Sequence, residues 1–564
     1  MRMLRGLGRW AGAVLWAVAV APALALVTAA WLDRGPDGSA RLTLFPAALT
    51  ALDPYVWDCA RNSLIVACAV TAAARIVGVG LARTGVRWRF WGRAPLLGLA
   101  GAVVVVPPAF AAIGLRALFG LPRTWTRTPL SWAWAVPFAD WAALFWVELL
   151  VAAPLVALAT ARALARVDPV WEDAARLSGV SRRRLWRQVV WPVVRPDVAR
   201  TLGLVFTLSI LEPGAPLVLG LRRTLAYEVA ESALDGGVGT LNRAVVLALA
   251  ATAAAALARA AIGWWGGPEL PSSVRDATPL LRPARASWRR GALFIGLGGL
   301  AAFLAWIPAL GLCSAAFPDG LSWSFLSLVR DPLTSGYLAN AAAVGLAALA
   351  LDLVLARSLA SWACSRRGGG LVDRLARWPS AMPPLAVGVG LLALPDLLRM
   401  MADALPASAS RPSPAELIAS AADSFDPDRT PRVGLIVAVA LVGLPMLARS
   451  AVERRRSLRP ILIDAAVSLG ASAVEARRTS SRWSRWTPAE GFFTFSLAAS
   501  NVVPALLFAP TADSRPLGPA VLNLIDEPGG FARASALALV AVVFNLAAFA
   551  GWRMSTRGKE SVRG

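Results

Sequence analysis

The chain of 564 residues contains no histidine, only four cysteines and three tyrosines, and charged residues make up 16% of it. The missing histidine removes His-ligated metal sites, Ser-His-Asp triads and imidazole proton relays. Cys59, Cys68, Cys313 and Cys364 are scattered with no C-x-x-C spacing, so neither a zinc site nor a disulfide framework is encoded. No Gly-rich phosphate loop ending in Gly-Lys-Ser/Thr occurs, which excludes a nucleotide-hydrolysing site of that kind. A soluble domain is about a quarter charged, and this chain has too little polar surface to cover a water-soluble globule.

What it has in abundance is apolar length: 57% of residues are hydrophobic and the mean hydropathy is +0.59. Twelve runs are long enough to cross a bilayer, at 10–32, 62–82, 94–118, 138–161, 199–220, 243–266, 291–313, 336–356, 379–401, 432–450, 488–510 and 531–552. The fold class expected is an all-α polytopic membrane protein. The net charge of +23 collects in alternate connections together with Arg2, Arg5 and Arg9. The positive-inside rule therefore puts both termini in the cytoplasm. It absorbs the basic excess and leaves no basic soluble domain to bind nucleic acid. The first run exceeds the apolar stretch of a signal peptide and is expected to stay as an anchor.

The runs divide six and six, and the halves share landmarks. Asn62 opens the second run and Asn340 the eighth; Pro107-Pro108 lies in the third and Pro383-Pro384 in the ninth. Pro154 matches Pro445, and Asp173-Ala-Ala with Gly179 matches Asp464-Ala-Ala with Gly470 at the same spacing. A parallel repeat is expected, with halves 1–270 (core about 60–266) and 291–564 (core about 336–552), joined by a linker at 271–290.

One connection reads as more than a tether. Asp168 is a natural N-cap before Pro169, Gly179 suits a C-cap, and a second helix is expected from Ser181 to Val190, ending before Pro192. Leu185, Trp186 and Val189 share a face of that second helix. Small alanines followed by a large aromatic suit a helix lying in a groove of another protein; arginines 182–184 equally suit a helix resting on phospholipid.

The stretch resembles the EAA loop of binding-protein-dependent ABC importer permeases. Asp173-Ala174-Ala175 and Gly179 are followed by Trp186 seven positions after the Gly and Pro192 thirteen after. The acid is Asp where the family pattern has Glu. With its duplicated halves the chain is similar to the fused permeases of ferric-iron and thiamine import. The resemblance implies twelve helices in two tandem repeats of the type I importer (MetI-like) permease fold, no enzymatic activity and no bound cofactor. It also implies a multi-pass inner-membrane location. Partners would be a cytoplasmic ATPase dimer carrying ATP and Mg, and a periplasmic or lipoprotein binding protein that delivers iron(III) or a thiamine-like cargo. In the second copy Asp464, Ala465, Ala466 and Gly470 persist, but Arg477 and Trp483 stand where Trp186 and Pro192 stand in the first. Either weakened docking or lost coupling, with the loop kept as scaffold, is expected there; the persisting acid, alanines and Gly favour weakened docking.

Within the runs, Glu212, Asn501 and Glu148 are candidate pathway residues, and Arg75 and Asp352 a candidate ion pair between halves. The outer stretch Asp423 to Asp428 lacks the Gly and closing Glu of a calcium loop and reads as solvated. The competing functions are an ion-coupled twelve-span secondary transporter and a membrane enzyme. The first would need coupling carboxylates, of which few exist; the second would need clustered acids or a nucleophile and base.

Overall fold

The computed structural model describes residues 20–34, 40–43, 45–119, 139–165, 167–235, 237–267, 284–317, 331–363, 382–405, 413–427, 429–472, 475, 495, 502–509, 511 and 514–560. Helix dominates them. In chain order the helices are α1 Val20–Ala29, α2 Phe45–Leu52, α3 Pro54–Arg87, α4 Arg93–Ala102, α5 Pro108–Phe119, α6 Ala139–Ala165, α7 Pro169–Leu177, α8 Arg182–Leu185, α9 Trp191–Ile210, α10 Gly214–Leu219, α11 Leu225–Leu234 and α12 Val238–Gly266. They continue as α13 Trp288–Ala316, α14 Pro332–Ala363, α15 Pro384–Leu392, α16 Leu394–Asp403, α17 Pro414–Phe425, α18 Pro431–Ser468, α19 Val503–Phe508, α20 Leu517–Asp526 and α21 Gly530–Glu560. Two short strand pairs complete the list: Leu32–Arg34 with Ala40–Leu42, and Trp88–Arg89 with Ala284–Arg285.

Among the described residues eight helices are long and apolar enough to span a membrane, or nine if one bent pair counts as a single span. That pair is the expected run 94–118. It breaks at Pro107-Pro108 into helices meeting at 102°, because two successive prolines remove backbone donors and their rings clash with the preceding turn. The runs 10–32, 432–450 and 488–510 are met by shorter apolar helices or are described only in part.

The described residues pack as two units, and these do not follow the sequence halves. One unit holds residues 58–224 and 253–320. Here α5 packs on α10 and α6, α6 on α9, and α13, the first span of the second half, lies along α5. Gly114 and Gly311 let those two backbones touch: a Cβ on Gly114 would fall on the Pro308 carbonyl, and one on Gly311 on the Gly114 carbonyl. Small residues at such crossings are how helices approach closely where lipid supplies no hydrophobic drive.

The other unit holds residues 1–57, 225–252 and 321–564. Its axis is α14 against α18, with α19, α15 and α20 packed around them and α16 paired to α17. Here α1, a short apolar helix within the expected first run, meets α15 through Gly390, where a Cβ would strike the Pro22 carbonyl. Each unit thus includes a helix from the other expected half: the span α13 in one, the short helix α1 in the other. Arg399 binds Asp423 and Asp426 at 3.4 and 2.5 Å, and Arg429 also pairs with Asp423. Those aspartates are tied down rather than freely solvated.

The matched asparagines do the same work. The Asn62 side-chain amide donates to the Arg223 carbonyl at 3.1 Å, just ahead of α11. Asn340 donates to the Arg515 carbonyl at 3.2 Å, just ahead of α20. Each holds the segment entering a ten-residue helix.

Candidate functional site

The connection from α6 to α9 is built from local signals. Asp168 has extended backbone and its carboxylate accepts from the Val170 N–H at 2.9 Å, capping α7 with Pro169 in the first turn; such a cap contributes about 1 kcal/mol. At the other end Gly179 turns left-handed at φ 74°. The Gly179 N–H then donates to Arg176 O and the Val180 N–H to Ala175 O, satisfying carbonyls that would otherwise be orphaned.

The second loop repeats that elbow. Gly470 has φ 85°, its N–H donates to Val467 O, and the Ala471 N–H donates to Ala466 O at 2.9 Å. Its entry differs. Where Asp168 restarts the helix in the first copy, α18 runs unbroken from Pro431 to Ser468. Arg459 stands at the capping position, with no short side-chain acceptor to end one helix and begin another. Asp464 sits inside that long helix; Arg477 and Trp483 lie outside the described residues.

Helical spacing decides what α7 shows. Val170, Asp173, Ala174 and Leu177 fall at i, i+3, i+4 and i+7 and all are exposed, Leu177 at 91%. Glu172 points the other way and is buried, its carboxylate accepting from Arg87 at the end of α3 and, at 3.3 Å, from Arg176. Neither Glu172 nor Arg87 was expected from the sequence; an acid directly before Asp173-Ala-Ala was the available signal, and its partner lies 85 positions away.

Two expectations are corrected. Trp186 does not project outward: it packs beneath Arg83, whose guanidinium lies 4.4 Å from the ring centroid, and beside Trp191. Leu185 is buried, so the stripe expected to face a partner faces the chain's own α3 side. Nor does the second helix stop before Pro192. It passes through a π-turn, Trp186–Val190, into α9. The widened turn removes the need for the Pro192 N–H and eases its ring past the preceding carbonyls.

The candidate pathway acids lie close together. Glu148 is buried in α6, near Ser209 and within electrostatic reach of Glu212. Glu212 follows the end of α9 and accepts from the Gly214 N–H at 2.9 Å. Asn501 lies outside the described residues. Arg75, the candidate partner of Asp352, has aromatic neighbours in its own unit, its guanidinium 4.7 Å from the Trp265 centroid and 5.7 Å from that of Trp191. A cation over a ring face is held without an anion, and Arg75 is exposed. Asp352 is buried, and its Oδ1 has no hydrogen-bond partner among the described residues.

Residues 74–265, which contain α7 and both glutamates, match the binding-protein-dependent transport system inner membrane component family. A probable molybdenum ABC transporter permease of Haloferax volcanii is 31% identical over 208 residues, covering 36% of this chain and 74% of that relative. The chain belongs to this permease family. A thiamine transport system permease of Brucella abortus is 26% identical over 355 residues, 61% of this chain, and the chain spans 64% of that relative's length. A molybdate/tungstate transport system permease of Thermococcus kodakarensis is 28% identical over 170 residues, covering 30% of this chain and 63% of the relative. These relatives are transport subunits, not enzymes. For a permease the rigidity of the elbow is measurable. Replacing Gly179 by Ala forces a side chain into a left-handed backbone at about 1 kcal/mol, and hydrogen exchange across 169–185 is expected to speed up several-fold. Gly80→Ala, where an added Cβ meets nothing within 4 Å, is the silent control.

Proposed function

We propose that this permease carries a substrate, handed over by an extracytoplasmic binding protein, across the inner membrane at the expense of ATP hydrolysed by a separate cytoplasmic ATPase. The observation that carries the proposal is the exposed face of α7. Val170, Ala174 and Leu177 stand clear of the chain while the opposite face is bolted to α3 through Glu172 and Arg87. An apolar patch on a capped, anchored helix has the form of a groove ligand. A push on such a helix is transmitted to α3, and through the continuous α8–α9 rod toward Glu212. The Gly470 elbow is a second, weaker contact because its helix lacks a capped start.

The thiamine relative supports a thiamine-like cargo. Its 355-residue match is longer than one 270-residue half, so it extends over both, whereas the molybdenum and molybdate/tungstate matches, of 208 and 170 residues, are shorter than one half. No relative reported above is named for iron. Family membership favours ATP over an ion gradient as the driving force.

The test is co-purification with the cognate ATPase and ATP-dependent uptake in vesicles. Ala174→Arg and Leu177→Glu are each expected to reduce ATPase recovery and uptake at least tenfold with the fold intact. If both leave association and uptake at wild-type levels, α7 is not the docking element; uptake driven by a proton gradient without any ATPase would remove the proposal altogether.

A further inference from the structure

Behind α7, on the side away from the exposed face, is a cavity of about 360 Å³ whose lining includes Arg83, Arg87, Arg176, Arg182, Trp88 and Trp186. Its volume lies in the range of small-ligand sites. Four guanidiniums bound it, and the nearby carboxylates already have partners: Glu172 is shared by Arg87 and Arg176, and Asp173 touches Arg176. Arg83 and Arg182 have no acidic partner among the described residues. Their printed neighbours are rings, Arg83 over Trp186 and Arg182 at 5.4 Å over Trp88. Arg83 is also crowded by both Arg87 and Arg182. Like charges gathered around an open cavity repel one another, and an anion entering it relieves that repulsion.

We propose that this cavity binds a phosphate-bearing anion, held by Arg83 and Arg182 and seated between the Trp88 and Trp186 rings. Guanidinium forks match phosphate oxygens two at a time and stay charged at any physiological pH. The location favours a phospholipid headgroup as the source. The apolar span α3 ends at Arg87, Trp88 follows it, and Trp91, Trp264 and Trp288 stand exposed at span ends as an interfacial belt does. Basic pockets at that depth take anionic headgroups. An anion there would brace α7 from behind, since Val180 and Leu185 of the elbow share the lining. The site does not depend on α7 docking an ATPase, and binding is measured apart from transport.

The experiment uses the full chain in nanodiscs of phosphatidylcholine with or without phosphatidylglycerol, followed by native mass spectrometry after partial delipidation. Wild type is expected to retain one phosphatidylglycerol. The pair Arg83→Gln with Arg182→Gln is expected to lower that retention at least tenfold. The pair Arg183→Gln with Arg184→Gln, exposed and off the lining, is expected to leave it unchanged. Displacement of the lipid by millimolar inorganic phosphate, or phosphate binding in pure phosphatidylcholine discs, would assign the site to soluble phosphate instead. Should the Arg83 and Arg182 variant fail to fold, hydrogen exchange of wild-type residues 176–188 decides: slower exchange with phosphatidylglycerol or phosphate than with phosphatidylcholine alone is expected. Equal retention by wild type and variant, or exchange indifferent to both anions, overturns the proposal.

Discussion

Glu172→Ala is expected to free α7 from the body of the permease and to lower ATP-dependent uptake at least tenfold, while Asp173→Asn, one residue on, leaves the loop in place. The two acids adjoin in sequence and differ in surroundings. The Glu172 side chain is 6% exposed and the Arg87 side chain 14%, whereas Asp173 is 67% exposed with one contact to Arg176 at 3.4 Å. Removing one member of a buried pair strands the other charge at a cost of about 3–5 kcal/mol; a solvent-exposed pair is worth no more than about 1 kcal/mol. Stranding is acute here because Arg87 has Arg83 close by and its Nε has no partner among the described residues. The expected readouts are fast hydrogen exchange over 169–180 and loss of uptake in Glu172→Ala, with both near wild type in Asp173→Asn. The double variant Arg87→Ala with Glu172→Ala should lose less than the two single losses combined, because the uncompensated charge goes with its partner. The reverse ranking, with Asp173 critical to loop order and Glu172 dispensable, would refute this account of how the loop is held.

Features set by neighbouring residues were legible before the structure. The eight spans found among the described residues follow from apolar run length, the break in the third run from Pro107-Pro108, and the elbow from Asp168, Pro169 and Gly179. The misreadings concern where side chains go once distant segments meet. Trp186 was read as an outward anchor because spacing shows that residues share a face but not which way the face turns. Its direction is set by Arg83, about a hundred positions earlier. Pro192 was read as a terminator because a proline opposes an α-turn; the π-turn before it escapes that rule and has no signature in composition. Glu172 was passed over in favour of the motif's Asp173, since nothing local distinguishes a carboxylate that will meet Arg87 from one that will meet water. Matched landmarks in the sequence predicted two halves, and the packing units do not follow them. That each unit includes a helix from the other expected half was not legible, because apolar runs carry length but no address.

The seating of α13 on α5 supplies the second large effect. Gly114→Val and Gly311→Val are each expected to prevent α13 from seating on α5 and to remove most of the folded permease from the membrane. At ordinary helix crossings a new methyl group is absorbed by side chains that shift. Here the atoms in the way are backbone: the Pro308 carbonyl for Gly114 and the Gly114 carbonyl for Gly311. Neither can move without moving its helix. Overpacking of a side-chain core costs about 1–3 kcal/mol, and a backbone clash along a whole helix pair exceeds that. The loss spreads because α5 also carries Ala109 against Gly214, beside Glu212, and Arg116, whose guanidinium donates to the Val218 carbonyl at 2.9 Å. Displacing α5 therefore disturbs the α10 segment and the candidate pathway acid together. Gly296→Ala and Gly299→Ala lie on the same α13 helix with nothing within 4 Å of the added carbon, and should be neutral. The measurement is the yield of monodisperse protein extracted from membranes and its melting temperature. Normal yield and stability for Gly114→Val would mean that α13 does not rest on α5 through these glycines, and the assignment of that span to this unit would fail with it.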